Sequence, residues 1–214
     1  MGDDNRVFES AVLGGIPQDM KFEGKRSYLI IGDRNTFREM VTVNRATEED
    51  DQTRIGDHNL IMAAAHIAHD CTLGNNIVIS NNVSLAGHVQ VEDHVRISGA
   101  VAVQQFSRIG KFAMIGGFSG VRQDVLPFYL TEGTPARIKA LNTVGLARAG
   151  FSSGEVRELK TALHILCKRS IPAPQKLHLL SEIDSEPVRY LLAFIQTSRR
   201  GFCGPEKVRG ESRK

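Results

Sequence analysis

The chain has 214 residues, 41% of them apolar and 24% charged, with a formal net charge of +3 and no Trp. That length suits one elongated domain or two small ones, with a core of Ile, Leu, Val, Ala and Met rather than aromatics. It holds no basic stripe interleaved with aromatics, no apolar run of membrane-spanning length and no CxxC spacing, so it predicts no nucleic-acid partner, no transmembrane segment and free thiols in a reducing cytoplasm.

The N-terminal stretch "MGDDNRVFES" is acidic and polar, unlike a signal peptide. From Ile55 every sixth residue through Val121 is Ile, Leu or Val: Ile55, Ile61, Ile67, Leu73, Ile79, Leu85, Val91, Ile97, Val103, Ile109, Ile115 and Val121. Four residues after most of these stands another small or aliphatic residue, as at Ala65, Cys71, Ile77, Val83 and Val89. A period of six fits neither a helix nor a plain strand; it predicts a parallel β-helix in which three hexads close one triangular coil. The aliphatics should point inward, and the small residue after each, such as Gly56 or Gly74, should permit a tight corner. The phase extends back through Val43, Phe37, Ile31, Leu13 and Val7 to Met1, so the chain reads as a shortened form of a longer solenoid. Two polar stretches, 17–27 and 45–54, read as loops projecting from the prism.

After Val121 the period fades. Pro127 and Pro135 mark "DVLPFYLTEGTPARIKA" as an irregular connection. Helical signals follow: a capping box from Ser152 to Glu155, a second helix over 175–183, and a third through Val188, Leu191, Leu192 and Ile195 with Pro187 in its first turn. The predicted organisation is a β-helix over 1–142, an α-helical region over 143–200 and a basic, flexible tail over 201–214.

Within the prism, His66, His69 and His88 fall within about one coil, and Asp70 follows His69. His69, Gly87 and Gln105 are eighteen apart and should form one stacked column. A base, an open glycine N–H and an amide in line suit acyl transfer, with Asp70 orienting the imidazole. Two other readings stand beside this one: a histidine-bound zinc, as in carbonic-anhydrase-like β-helix enzymes, or a scaffold whose histidines only coat its surface. His58, His94, His164 and His178 read as ordinary surface residues.

The segments "HIAHDCTLGNN", "NNVSLAGHVQVEDH", "GGFSGVRQDVLP" and "LNTVGLARAGF" resemble the UDP-N-acetylglucosamine O-acyltransferase family of lipid A biosynthesis. The resemblance covers about residues 1–151. It implies a left-handed β-helix and a homotrimer with active sites between subunits. It also implies transfer of a (3R)-3-hydroxyacyl chain from acyl carrier protein to the 3-position of the nucleotide sugar, with no metal and no cofactor beyond the thioester donor. Carried over, it makes His69 the base, Asp70 its partner and Gly87 the oxyanion donor. His66, His88 and Gln105 would line the cleft. Asp19 and Lys21 would reach the substrates from a neighbouring subunit, Asn142 and Arg148 would hold the nucleotide, and Gly117 would set acyl length. The chain departs from the family pattern at Asn44, Gln104, Val144 and Ala149, all around the acceptor and nucleotide pockets, so a 3-amino nucleotide sugar is the alternative acceptor.

Overall fold

The computed structural model describes residues 1–168 and 170–205. From Arg6 to Val121 the chain is a left-handed parallel β-helix whose three sheets form the faces of a triangular prism. The first face stacks Leu60–Ile61, Val78–Ile79, Arg96–Ile97 and Met114–Ile115. The second stacks Thr42–Asn44, His66–Ile67, Ser84–Leu85, Ala102–Val103 and Gly120–Val121, and the third Gln52–Ile55, Thr72–Leu73, Gln90–Val91 and Arg108–Ile109. In the regular coils partners lie 18 residues apart, as Val78 with Arg96. The interval is 24 between Thr36 and Leu60 and 30 between Arg6 and Thr36, so the two polar stretches are extruded loops in an unbroken register.

Strand alternation sends two residues per hexad inward. One is the periodic aliphatic; the other, four residues on, is Ala65, Cys71, Ile77, Val83, Val89, Val95, Val101 or Ala113, and all of these are buried. Burying a Val, Leu or Ile side chain is worth about 1.5–3 kcal/mol, so this double column is the main source of stability. In one column of the first coils the second inward position is polar instead. Asn5, Asn35 and Asn59 form a ladder in which Asn5 Oδ1 accepts from Asn35 N and Asn35 Oδ1 from Asn59 N, each at 2.9 Å. The side-chain amides of Asn35 and Asn59 donate to the Gly56 and Gly74 carbonyls, so these two buried amides are satisfied.

The corners differ from the expectation. The left-handed backbone falls three residues after each aliphatic, at His58, Ala64, Asp70, Asn76, Asn82, His88, His94, Ala100, Phe106, Phe112 and Phe118, with φ of 56–64°. The small residue directly after the aliphatic serves another purpose along one edge. There Asp33, Asp57, Asn75 and Asp93 each use Oδ1 to accept, at 2.7 Å, the backbone N–H of the matching residue one coil back. A Cβ on Gly2, Gly32, Gly56 or Gly74 would overlap the incoming oxygen, so glycine there makes room for the ladder.

The stretch expected to be irregular forms an antiparallel hairpin, Tyr129–Glu132 with Arg137–Leu141, that extends the first face. Pro127 precedes the paired residues and Pro135 lies in the turn, so neither proline interrupts the ladder. Among the described residues four helices follow: α1 (Thr143–Arg148), α2 (Ser153–Cys167), α3 (Ala173–Ser181) and α4 (Glu186–Thr197). The predicted capping box is formed at α2, α3 begins two residues earlier than expected, and α1 was not foreseen. Leu126, Phe128, Tyr129, Leu146, Leu159, Leu180, Leu191 and Phe194 make a second core beneath them. The tail expected from residue 201 does not start free. Phe202 bridges to Asp124, Pro205 bridges to Ile138, and Cys203 is 2% exposed against the end of the prism core. Residues 206–214 of that tail lie outside the described residues.

The glycine column generates a test. Gly74→Ala places a methyl on the Asp93 carboxylate and should cost about 1–3 kcal/mol, the usual range for overpacking. Adding Asp93→Ala removes the obstacle, so the double variant should be more stable than the sum of the single effects predicts, read from denaturant midpoints.

Candidate active site

His69 and Asp70 occupy the corner between the second and third faces. The left-handed φ of 60° at Asp70 turns its carboxylate back towards its predecessor, and His69 Nδ1 lies 2.7 Å from Asp70 Oδ2. An ionised carboxylate there holds the proton on Nδ1 and leaves Nε2 as the basic nitrogen. Thr47, on the second extruded loop, donates its backbone N–H to Asp70 Oδ1 at 3.0 Å and its hydroxyl to Oδ2 at 2.8 Å. His88 Nε2 approaches the same Oδ2 at 3.5 Å. Burial alone would raise the Asp70 carboxyl. The hydrogen bonds from His69 and from the Thr47 hydroxyl and amide, with the charge of His88, outweigh it and hold the group below the ordinary aspartate value.

The His69 ring lies against Gly87: a Cβ there would come 2.8 Å from His69 Nε2 and still closer to Cε1. Gly87 has no left-handed φ, so space rather than backbone conformation requires the glycine. Among the described residues its N–H has no acceptor. His66, half-buried on the second face, has Nδ1 2.8 Å from the Thr42 hydroxyl, and burial followed by the charge of His69 lowers its pKa. The His88 ring meets His69 edge-on at 5.4 Å between centroids and stacks on Phe106 at 4.5 Å. Gln105 is exposed at the equivalent position one coil beyond Gly87.

The other predicted residues lie elsewhere in the single chain. Asp19 and Lys21 share a turn of the first loop, where Asp19 Oδ1 accepts the Lys21 N–H at 2.9 Å. Asn142 caps α1, accepting from Gly145 N at 3.1 Å and donating to the Phe112 carbonyl at 2.9 Å. Asn142 and Arg148 line a cleft of about 660 Å³ against the first face, shared with Ser80, His94, Arg96 and Ser98. Val144 and Ala149 line it too, whereas Asn44 is buried and donates to the Ile16 carbonyl at 2.9 Å. Gly117 sits at the corner between the first and second faces; a Cβ there would come no closer than 3.4 Å to anything.

Sequence reasoning missed Thr47 and Thr42. Thr47 gives no signal, because its place over Asp70 depends on the path of an extruded loop. His94, read as a surface residue, is exposed as expected; it also stacks on Phe112 at 4.7 Å and lines the Arg148 cleft, for which an aromatic eighteen residues on was the available hint. His69, Asp70 and His88 also offer three ligand atoms within 4.8 Å of one another, so they could hold a metal ion. Two of the three are histidines, as zinc prefers, but the Asp70 oxygens already accept from Thr47.

Comparison with known proteins gives a consistent picture. The family described as bacterial transferase hexapeptide (six repeats) matches residues 52–87, and that described as UDP N-acetylglucosamine O-acyltransferase, domain 2, matches residues 124–203. An acyl-[acyl-carrier-protein]–UDP-N-acetylglucosamine O-acyltransferase of Rippkaea orientalis is 50% identical over 211 residues, covering 98% of this chain and 75% of the relative. One of the same description from Campylobacter lari is 46% identical over 203 residues, covering 94% and 77%. Among solved structures, the Bacteroides fragilis UDP-N-acetylglucosamine acyltransferase superposes with TM-score 0.90 at 35% identity, covering 94% of this chain and 80% of that one. The Arabidopsis enzyme gives 0.89 at 38% identity, covering 93% and 74%.

The Asp70 environment sets a pH test. Thr47→Val removes one donor to the carboxylate and should raise the Asp70 pKa towards the ordinary value, read by carboxyl NMR titration. The folded pKa is depressed, so its stabilisation is complete above the unfolded value and is lost as pH falls through the folded one. The acid limb of the stability profile should therefore move to higher pH in the variant.

Proposed function

The chain belongs to the UDP-N-acetylglucosamine O-acyltransferase family, and on that premise we propose that its His69–Asp70 corner carries the transfer. The protein is an acyltransferase that moves an acyl chain from acyl carrier protein to UDP-N-acetylglucosamine. The chain moved is a (3R)-3-hydroxyacyl group, the acceptor atom is the sugar 3-hydroxyl, and the reaction opens lipid A biosynthesis in the cytoplasm. What supports this mechanism is His69, held through Nδ1 by Asp70 with its ring against Gly87.

A neutral sugar hydroxyl attacks a thioester poorly. His69 Nε2 takes the hydroxyl proton as the oxygen bonds to the thioester carbon, and Asp70 stabilises the imidazolium that forms. The carbonyl oxygen becomes an oxyanion, which the unpaired Gly87 N–H meets. Collapse breaks the carbon–sulfur bond, and the imidazolium returns its proton to the departing thiolate. No cofactor enters these steps. His66 and His88 line the cleft beside His69. A glycine that its own coil does not enforce leaves space at residue 117, in keeping with a role in admitting the acyl chain.

The Asn142–Arg148 cleft stands on the first face and His69 at the opposite edge of the second. One chain does not bring them into one pocket, but a second copy can. A cyclic homotrimer satisfies this for every subunit, with Asp19 and Lys21 reaching over from the neighbour's loop. The solution mass at micromolar concentration should be that of three chains; a monomer would remove the basis of a shared site. Val144 and Ala149, within the Arg148 cleft, are the departures placed to alter the acceptor, and assays with 3-hydroxy and 3-amino nucleotide sugars separate the two.

The three-ligand cluster supports a second reading as a zinc hydratase. His69→Ala decides between them. It should lower acyl transfer by about 10²–10⁴ while leaving assembly intact, since the position fills no core. Chelator should not change the wild-type rate. Stoichiometric zinc with chelator-sensitive activity favours the hydratase.

A further inference from the structure

A second cleft, of about 780 Å³, opens from the same corner onto the third face. It is lined by Asp70, His88, Gln90, Phe106, Arg108 and Asp124 of the prism and its end, and by Thr197, the last residue of α4, with Arg199 and Arg200 just past it. Its acids are already occupied. Asp70 accepts from Thr47 and His69. Asp124 accepts the Arg108 N–H at 2.9 Å and the Ser198 hydroxyl at 2.7 Å. Arg108 is partly engaged too, donating to Thr197 Oγ1 at 3.0 Å, lying over the Phe194 ring at 4.2 Å and standing 3.5 Å from Glu92.

Arg199 and Arg200 differ. Among the described residues neither guanidinium has an ion-pair or hydrogen-bond partner, and Arg200 Nε is buried without one. The buried Nε is closed to the cleft, so what the cleft offers a ligand is the two unpaired guanidinium charges on its wall. The forked guanidinium suits a phosphate oxygen pair.

We propose that Arg199 and Arg200 form a subsite for the phosphodiester of the donor's phosphopantetheine arm, placing the thioester beside His69. This rests on the acyl-carrier-protein reading. The donor is preferred over the acceptor's diphosphate because the cleft begins at Asp70 and His88, while the Arg148 cleft lies on another face. Arg199 and Arg200 are positioning residues; they touch no reacting atom.

The test compares wild-type protein with Arg200→Ala, Arg200→Lys and Arg199→Ala on acyl carrier protein, acyl-phosphopantetheine and acyl-pantetheine donors. KM for the two phosphate-bearing donors should rise about ten- to hundredfold in the alanine variants, with kcat little changed. KM for acyl-pantetheine should stay as in wild type, and Arg200→Lys should restore part of the loss. Free 4′-phosphopantetheine should bind more tightly than pantetheine by calorimetry, and the alanine variants should abolish that difference. The calorimetry stands even if no acyl group is transferred, a result that would overturn the family-based mechanism separately. Equal KM rises for all three donors, a rise confined to the nucleotide sugar, or no calorimetric difference would each overturn the subsite.

Discussion

Every coil of this prism must return to the same register eighteen residues later, and most of the structure follows from that. A side chain does not choose its neighbours freely; it stacks on the residue eighteen before and eighteen after, or further where a loop is extruded. Like residues therefore form columns. Aliphatics fill the interior, asparagines ladder through the first coils, and Asp or Asn oxygens cap amide groups along one edge. Edge pairing is met within the chain by the next coil, so the short strands need no long sheet to be stable.

The same constraint explains why the repeat was readable and the corners were not. Twelve aliphatics in phase specify an inward column, and the burial of each follows from strand alternation. The turning residue carries no such mark. Histidine, alanine, asparagine, aspartate and phenylalanine all take the left-handed conformation here, because pairing with the coils on either side imposes it. Reading the small residues as turn-formers placed the strain two positions too early. The hairpin at Tyr129–Glu132 failed for a related reason: its prolines sit outside the paired residues, which local sequence does not reveal. The placement of His69, Gly87 and Gln105 in one column was legible from spacing alone. Thr47 was not, because a loop that leaves the prism also leaves its period.

Chemistry at a corner has a physical advantage. Along a face, backbone N–H groups are spent on the ladder to the next coil. At the bend, the N–H of the residue before the left-handed position turns outward; at residue 57 or 75 an acid or asparagine from the next coil takes it, whereas at Gly87 no described residue does. The fold thus supplies a fixed donor without unfolding anything, and the same column, one coil back, holds the proposed base. Fixed dipoles of this kind stabilise developing charge without reorganisation.

Glycine is used here in two senses that sequence does not separate. At Gly87 the ring of His69 occupies the volume a side chain would need, so any larger residue must displace the proposed base. The glycine is part of how His69 is held, alongside Asp70. At Gly117 nothing in the same chain presses on the missing side chain beyond ordinary contact, and backbone conformation does not demand glycine either. Neither its own packing nor its own backbone requires glycine at 117, so the proposed acyl-length role is free to act there without disturbing the coil. The two sites therefore differ in kind: substitution at 87 acts first on the geometry of the base, and substitution at 117 on the room available to whatever binds there.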